Sequence, residues 1–305
     1  MSQLTKYYAH GKLLITGEYA VLDGALALAI PIKKGQWLSV ESNAKSANIF
    51  WKSLDENGGT WFECEFTPEL EIVSSSSTEI AERLIQILEI CANENPEFAK
   101  HLSSKSISTT LEFNRHWGLG SSSTLIHLIS QWANVNPYKI LEATFGGSGY
   151  DIACANTNNP ITFQLLQDVP SIKTVAFNPE WKNNMHFVYL GKKQVSKSEV
   201  AKYSDMNLDR VVFTQRVTNL TKKVLKTTNQ AEFESTLQAH ENLVSEALGY
   251  PTIKSRYFQS VKGTFKSLGA WGGDFVLFVG ESEEIKKIKS LGYKTVVSWH
   301  EMVLD

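Results

Sequence analysis

Apolar and polar positions alternate in a β manner over the first forty residues, with glycine as punctuation, and later runs continue the pattern. Short apolar or alternating runs at 12–16, 19–22, 25–30, 37–41, 49–52 and 61–66 predict an N-terminal region rich in antiparallel strands. Asp23-Gly24 between two of these runs is a hairpin signal. The period then changes. Ile80, Leu84, Ile87, Leu88 and Cys91 recur at helical spacing behind the serine run Ser74 to Ser77, which predicts a capped helix over about 78–93. A strand at 107–113 leads through Trp117-Gly118-Leu119-Gly120-Ser121-Ser122-Ser123 into the helical pattern of Leu125, Ile126, Ile129 and Trp132. Asn136-Pro137 marks the end of that helix, and a further helix is predicted over 138–145. Strands follow at 162–166, 173–177 and 186–190, then a polar helical region over 199–248. The chain closes on a strand at 275–279, a helix at 281–291 and a strand at 295–299. There are no repeats, and a boundary near residue 170 gives expected domains of 1–170 and 171–305.

With 305 residues, 42% of them hydrophobic, the chain can bury two ordinary cores. The formal net charge of -2 gives no general attraction to nucleic acid or to an anionic membrane, so any phosphate recognition must be local. Cys64, Cys91 and Cys154 match no zinc pattern, and their odd number makes a poor disulfide framework. The start of the chain has no signal-peptide apolar core. The longest apolar stretch, 25–32, is far below the roughly 20 residues that cross a bilayer. A reduced, cytoplasmic protein, monomer or homodimer, is expected.

Four segments carry candidate chemistry. The first is Gly118 to Ser123, between strand and helix. Glycines let a backbone approach a ligand and turn its N–H groups inward. A helix starting at Ser121 or Ser122 adds the positive end of its dipole, so the loop is an anion site. The serine hydroxyls can bond phosphate or ligate magnesium. No Gly-Lys-Ser/Thr follows, so this is not a Walker loop, and an ordinary serine cap is the alternative. The second is Asp151, just after Gly146-Gly147-Ser148-Gly149-Tyr150. There a carboxylate can act as base, metal ligand or plain helix cap. Glu142, nine residues earlier, can reach the same metal or face solvent. The third is Lys12 at the entrance of an apolar strand, with Glu18 between Gly17 and Tyr19. A snorkelling lysine and a turn residue are the ordinary readings. The fourth is Gly269-Ala270-Trp271-Gly272-Gly273-Asp274, running into the strand at Phe275, where small residues permit tight packing or ligand approach.

In this order the four segments resemble the motifs of the GHMP kinase superfamily (galactokinase, homoserine kinase, mevalonate kinase, phosphomevalonate kinase). The resemblance spans nearly the whole chain. It implies an α+β fold of two domains, the N-terminal one like ribosomal protein S5 and the C-terminal one like an α/β plait. It implies ATP and Mg2+ as cofactors, with the nucleotide phosphates on Gly118, Leu119, Gly120, Ser121, Ser122 and Ser123. By the same resemblance Asp151 is the base, Lys12 stabilises charge near it, and Ser122 and Glu142 hold magnesium. Glu18, Tyr19, Ser148, Gly149, Gly272 and Gly273 would contact substrate. The departures are His10 where many members have proline, Trp271 for a glycine, Asn114-Arg115-His116 without the common proline, and a shorter Glu142–Asp151 spacing. Tyr19 and the segment Gly147 to Ala153 are closer to phosphomevalonate kinases than to mevalonate kinases. A phosphorylated substrate also needs cations, for which Lys33, Lys34, Arg115, His116, Lys192 and Lys193 are candidates. Phosphomevalonate is thus the first expected acceptor and mevalonate the second. Other small alcohols, or ligand binding without catalysis, are the alternatives.

Overall fold

The computed structural model describes residues 4–192, 200, 202–269, 271 and 273–304. The chain forms two compact units that interleave along the sequence: Met1–Gly11, Lys34–Arg115 and Leu119–Asn156 make the first, and Lys12–Lys33, His116–Gly118 and Thr157–Asp305 make the second. Two long strands, β1 (Thr5–Thr16) and β2 (Ala27–Ser42), run through both.

In the first unit, β3 (Ile49–Leu54) and β4 (Thr60–Phe66) form a hairpin whose turn is tied by Asp55 Oδ1, which accepts from the N–H groups of Asn57 and Gly59. Their residues alternate between buried and exposed, as a half-buried sheet requires. The sheet continues through β5 (Ile72–Ser75) and β6 (Lys105–Leu111), in the order β5-β4-β3-β6-β2. β3 and β6 are parallel, and the crossover between them contains α1 (Thr78–Glu94) and α2 (Pro96–Lys100). Helix α1 buries Ala81, Leu84, Ile87, Leu88 and Cys91. Each large aliphatic among them contributes about 1.5–3 kcal/mol. Together with Trp51, Phe62 and Phe66 they form one core, shared with α3 (Ser121–Ala133), α4 (Pro137–Thr144) and α5 (Tyr150–Ala155).

In the second unit, residues 27–29 of β2 pair with β7 (Ile161–Leu166), which pairs with β8 (Val169–Thr174). Gln167 and Asp168 both take positive φ, as a two-residue hairpin turn demands. A separate antiparallel sheet has the order β10-β11-β9-β12, from β9 (Met185–Tyr189), β10 (Thr264–Ser267), β11 (Phe275–Val279) and β12 (Val296–Ser298). Helices α6 (Arg210–Val224), α7 (Gln230–Leu248), α8 (Ile253–Tyr257), α9 (Ser282–Ser290) and α10 (Trp299–Met302) complete the unit. No helix among the described residues is long and apolar enough to cross a membrane.

Several expectations are corrected. The apolar run at 19–22 is not a strand but a 3-10 turn, Ala20–Asp23, because Gly17 at φ 105 and Tyr19 at φ 58 fold the chain back. Gly24 closes that turn in the left-handed conformation instead of turning a hairpin with Asp23. The runs at 25–30 and 37–41 fuse into one strand, β2. The strand expected at 173–177 lies earlier, as β8, because the turn falls at Gln167-Asp168. Ser77 stands at the N-cap of α1 but makes no side-chain cap bond.

Candidate active site

Two helices in the first unit begin in the same way. Gly120 precedes α3 and Gly149 precedes α5, both in the left-handed conformation, with φ of 92° and 85°. A glycine N-cap has no side chain to offer, so neither N-cap residue bonds the first N–H groups of its helix through a side chain. The serines and the aspartate are not the N-cap residues. They occupy the first turns, where their side chains are available for other work.

The two helix starts are joined by one contact. Ser123 Oγ donates to Asp151 Oδ2 at 2.5 Å, and the N–H of Ile152 donates to Asp151 Oδ1 at 3.1 Å. Ser123 is buried, Ser121 half-buried and Ser122 exposed. Thr124, next in the helix, is held from below by its hydroxyl, which donates to Gln36 Oε1 on β2 at 2.6 Å. Any other residue at Gly149 is strained. A Cβ there would lie 2.7 Å from Cε1 of Tyr138, whose ring covers it from α4. Ser148 before it is buried. Burial, then the nearby Asp151 carboxylate, pushes the Tyr138 phenol up to about 12.

The second unit holds the start of the glycine loop. Lys12 Nζ donates to the Gly118 carbonyl at 3.2 Å. Trp117 meets Phe275 edge-on at 5.4 Å, and Tyr189 Oη donates to the His116 carbonyl at 3.0 Å. Gly118 has φ 66, and the Asp274 carboxyl sits where a Cβ would be, within 2.2 Å. Asp274 itself is fixed by its N–H, which donates to the Lys192 carbonyl at 2.7 Å.

Glu18 lies in a buried cluster of charged side chains. Its side chain is 0% exposed and hydrogen-bonded to Lys266 Nζ, which also donates to the Ser267 carbonyl. His240 Nε2 lies 3.5 Å from Glu18 Oε2 and accepts from the Gly17 N–H at 3.1 Å. Glu241 caps the same cluster, accepting from Ile253 N–H, Ser267 N–H and Ser267 Oγ. Burial pushes Glu18 up to about 7 against the opposing pull of Lys266, and burial drives His240 well below its usual value. Tyr19 is likewise buried: its hydroxyl accepts from the Trp271 N–H at 3.0 Å, and its ring lies 5.4 Å from that of Tyr203.

Comparison with solved structures gives a consistent answer. A mevalonate kinase from Methanococcus jannaschii matches with a TM-score of 0.68 at 15% identity, over 97% of this chain and 96% of that one. A Streptococcus pneumoniae phosphomevalonate kinase, in complex with phosphomevalonate and AMPPNP, matches with a TM-score of 0.69 at 17% identity, over 94% and 95%. A sugar kinase structure from Campylobacter jejuni, described as putative, matches with a TM-score of 0.67 at 13% identity, over 100% and 96%. No family model and no curated protein matches the sequence significantly.

The chain has the GHMP kinase fold. At these identities the likeness is one of fold, and kinases for different acceptors resemble the chain about equally.

Within this GHMP kinase fold, Glu142 stands exposed on α4 with no hydrogen bond joining it to Ser122 or Asp151. No group of three His, Cys, Asp or Glu among the described residues is arranged to hold a metal. The candidate cations have separate engagements. Lys33 Nζ donates to the His300 carbonyl, Arg115 lies over the Trp61 ring, and Lys192 lies over Tyr257. Lys34 is exposed. Gly273 is described in the turn before β11, whereas Gly272 and Lys193 lie outside the described residues. Three residues were not legible in the sequence. Lys266 sits in a wholly buried strand, which is the signal that could have marked it. His240 falls on the apolar face of α7 with Leu237 and Val244. Tyr138 gave no pattern signal, since its role depends on the fold of Gly149.

Proposed function

We propose that the chain is an ATP-dependent small-molecule kinase of the mevalonate-pathway type, acting on phosphomevalonate first and mevalonate second. The observation that carries the reading is the Ser123–Asp151 hydrogen bond, which fixes a carboxylate at the uncapped start of α3. An acidic group beside an anion-binding helix start suits phosphoryl transfer: the helix attracts the phosphates and the carboxylate handles the acceptor.

The oxygen donors are of the type that magnesium takes. Ser122 is an exposed first-turn hydroxyl and Glu142 an exposed carboxylate, and a hard cation of this size takes a few such ligands beside phosphate and water. Ser122 and Glu142 would hold it, and bound there it would neutralise charge on the nucleotide phosphates. The N–H groups at the start of α3 bind the phosphates. Lys12, tethered to the Gly118 carbonyl, supplies positive charge where the loop begins. With an alcohol acceptor, Asp151 accepts the hydroxyl proton while Ser123 keeps its carboxylate oriented. With a phosphate acceptor, largely ionised at pH 7 (second pKa about 6), Asp151 orients more than it deprotonates.

The decisive assay is ADP release with Mg-ATP and mevalonate, phosphomevalonate, homoserine, galactose or a heptose phosphate. Release that depends on phosphomevalonate supports the reading. Release with another acceptor replaces the substrate, and nucleotide binding without any release favours a binding protein.

A further inference from the structure

In the second unit, one aspartate keeps a backbone conformation that glycine would adopt without cost. Asp274 has φ 53, in the left-handed region. Aspartate tolerates that region better than most side chains, yet glycine is the default there. Both backbone groups of Asp274 are engaged: its N–H donates to the Lys192 carbonyl at 2.7 Å, and its carbonyl accepts from the Leu190 N–H at 2.8 Å. The chain thus holds an unfavourable backbone at the entry to β11, and a side chain retained in such a place points to work for that side chain. The carboxyl group packs on Gly118 and fills the space a Cβ would take, and Asp274 is only 9% exposed. The carbonyl of the same Gly118 accepts from Lys12 Nζ at 3.2 Å. The first residue of the glycine loop therefore touches both a cation and a carboxyl group.

Anchoring does not account for the charge of this group. The loop start is already held by the Tyr189 hydroxyl on the His116 carbonyl, by Trp117 against Phe275 and by Lys12. An uncharged side chain of the same shape would fill the space over Gly118 equally well. A carboxylate beside an anion-binding loop has an electrostatic consequence: it opposes a bare polyphosphate, and the opposition is relieved when a divalent cation covers part of the phosphate charge. We propose that Asp274 is a specificity-determining residue of the nucleotide site, whose charge makes the glycine loop beginning at Gly118 select the magnesium-bound nucleotide over the bare one. The inference rests on the nucleotide reading of that loop. Asp274 needs no bond to the metal or to the nucleotide, because its carboxylate acts through space from a position fixed by the ends of β9 and β11. Its low exposure strengthens the effect, since solvent and salt screen a buried charge less than an exposed one. Lys12 acts in the opposite sense and attracts phosphate in either form. Together the two charges make affinity depend on how much phosphate charge the cation has covered.

The test is the affinity of the full-length protein for AMPPNP, measured by calorimetry with excess magnesium and again with EDTA. Wild type, Asp274→Asn and Asp274→Gly are compared, and their melting temperatures are recorded without ligand. Asparagine keeps the shape and tolerates the left-handed backbone, whereas glycine removes both the carboxyl group and the strain, so the test does not depend on one variant folding. The readout is the ratio of the two dissociation constants within each protein. A general loosening of the site weakens both forms alike and leaves that ratio where it was. Wild type is expected to bind the magnesium form more tightly. In both variants the ratio is expected to fall about 10-fold or more, the size of one unit charge acting at short range, chiefly because bare AMPPNP binds more tightly. If wild type binds and the ratio is unchanged in the variants, the inference is overturned while the nucleotide reading stands. A fall in only one of two folded variants also overturns it, because the charge is lost in both. So does a fall that comes wholly from weaker binding of the magnesium form, since Asp274 would then be a metal ligand. No binding of either form by wild type sinks the nucleotide reading, and the inference with it.

Discussion

Gly149 and Gly118 show why single residues decide this site. Gly149→Ala meets two obstacles, a left-handed backbone and the Tyr138 ring 2.7 Å from the new Cβ. Loss of about 1–3 kcal/mol in urea unfolding is expected. The double variant with Tyr138→Ala should lose less than the sum of the two single changes, since the clash is then gone. An additive double variant would mean that the ring does not press on Gly149. Ser123→Ala removes the hydroxyl donor to the Asp151 carboxylate. A fall in kcat with little change in the KM for ATP is expected, because the hydroxyl orients the carboxylate. The glycine-serine loop and Asp151 were readable as candidates because their residue types carry the chemistry. That Ser123, and not Ser122, faces Asp151 was not readable, since it depends on how α3 and α5 meet.

At the scale of elements, the buried cluster of Glu18, His240, Glu241 and Lys266 ties β10 and α7 to the turn at Gly17. Lysine and carboxylates with no exposure are stable only together. Lys266→Met leaves two buried carboxylates without their cation, and a loss of about 3–5 kcal/mol in chemical unfolding is expected. Two members of the cluster respond to acid in opposite ways. Glu18 is raised to about 7 from an ordinary 4.5, so its contribution to stability is full below 4.5 and is lost as pH rises through 7. His240 is depressed below 6.5, so its contribution is present above 6.5 and is lost as pH falls. Between pH 4.5 and 6.5 the two oppose each other. Glu18→Gln should therefore steepen the loss of stability on acidification, and His240→Gln, which keeps an acceptor for the Gly17 N–H, should reverse its sign. Parallel pH profiles for wild type and both variants would contradict this account. The periodic helices α1 and α3 and the unbroken apolar run of β11 were legible in the sequence. The turn at 19–22 was not, because four apolar residues in a row read as a strand until the positive φ values at Gly17 and Tyr19 are known.

For the whole molecule, the order of four motifs pointed to the GHMP kinase fold, and solved structures with that fold match over nearly the whole chain. The interleaving of two compact units was not legible, because both boundaries fall inside continuous strands, at Gly11/Lys12 in β1 and Lys33/Lys34 in β2. A nucleotide site predicts ligand-linked stability. Mg-AMPPNP at about a hundred times its dissociation constant should add about 2.7 kcal/mol and raise the melting temperature by several degrees. Chelation of magnesium with EDTA should remove most of that shift. An unchanged melting temperature with Mg-AMPPNP would argue against the Gly118–Ser123 loop as a phosphate site.

The most direct test of the central claim is acceptor-dependent ADP release by wild type and Asp151→Asn, measured side by side with Mg-ATP. The expected result is release by wild type with phosphomevalonate or, failing that, mevalonate, and a loss of about 100- to 10,000-fold in D151N, the size of a general-base contribution. The loss should be larger for the alcohol than for the phosphate acceptor. Undiminished turnover in D151N, or no release by wild type with any acceptor, would contradict the account.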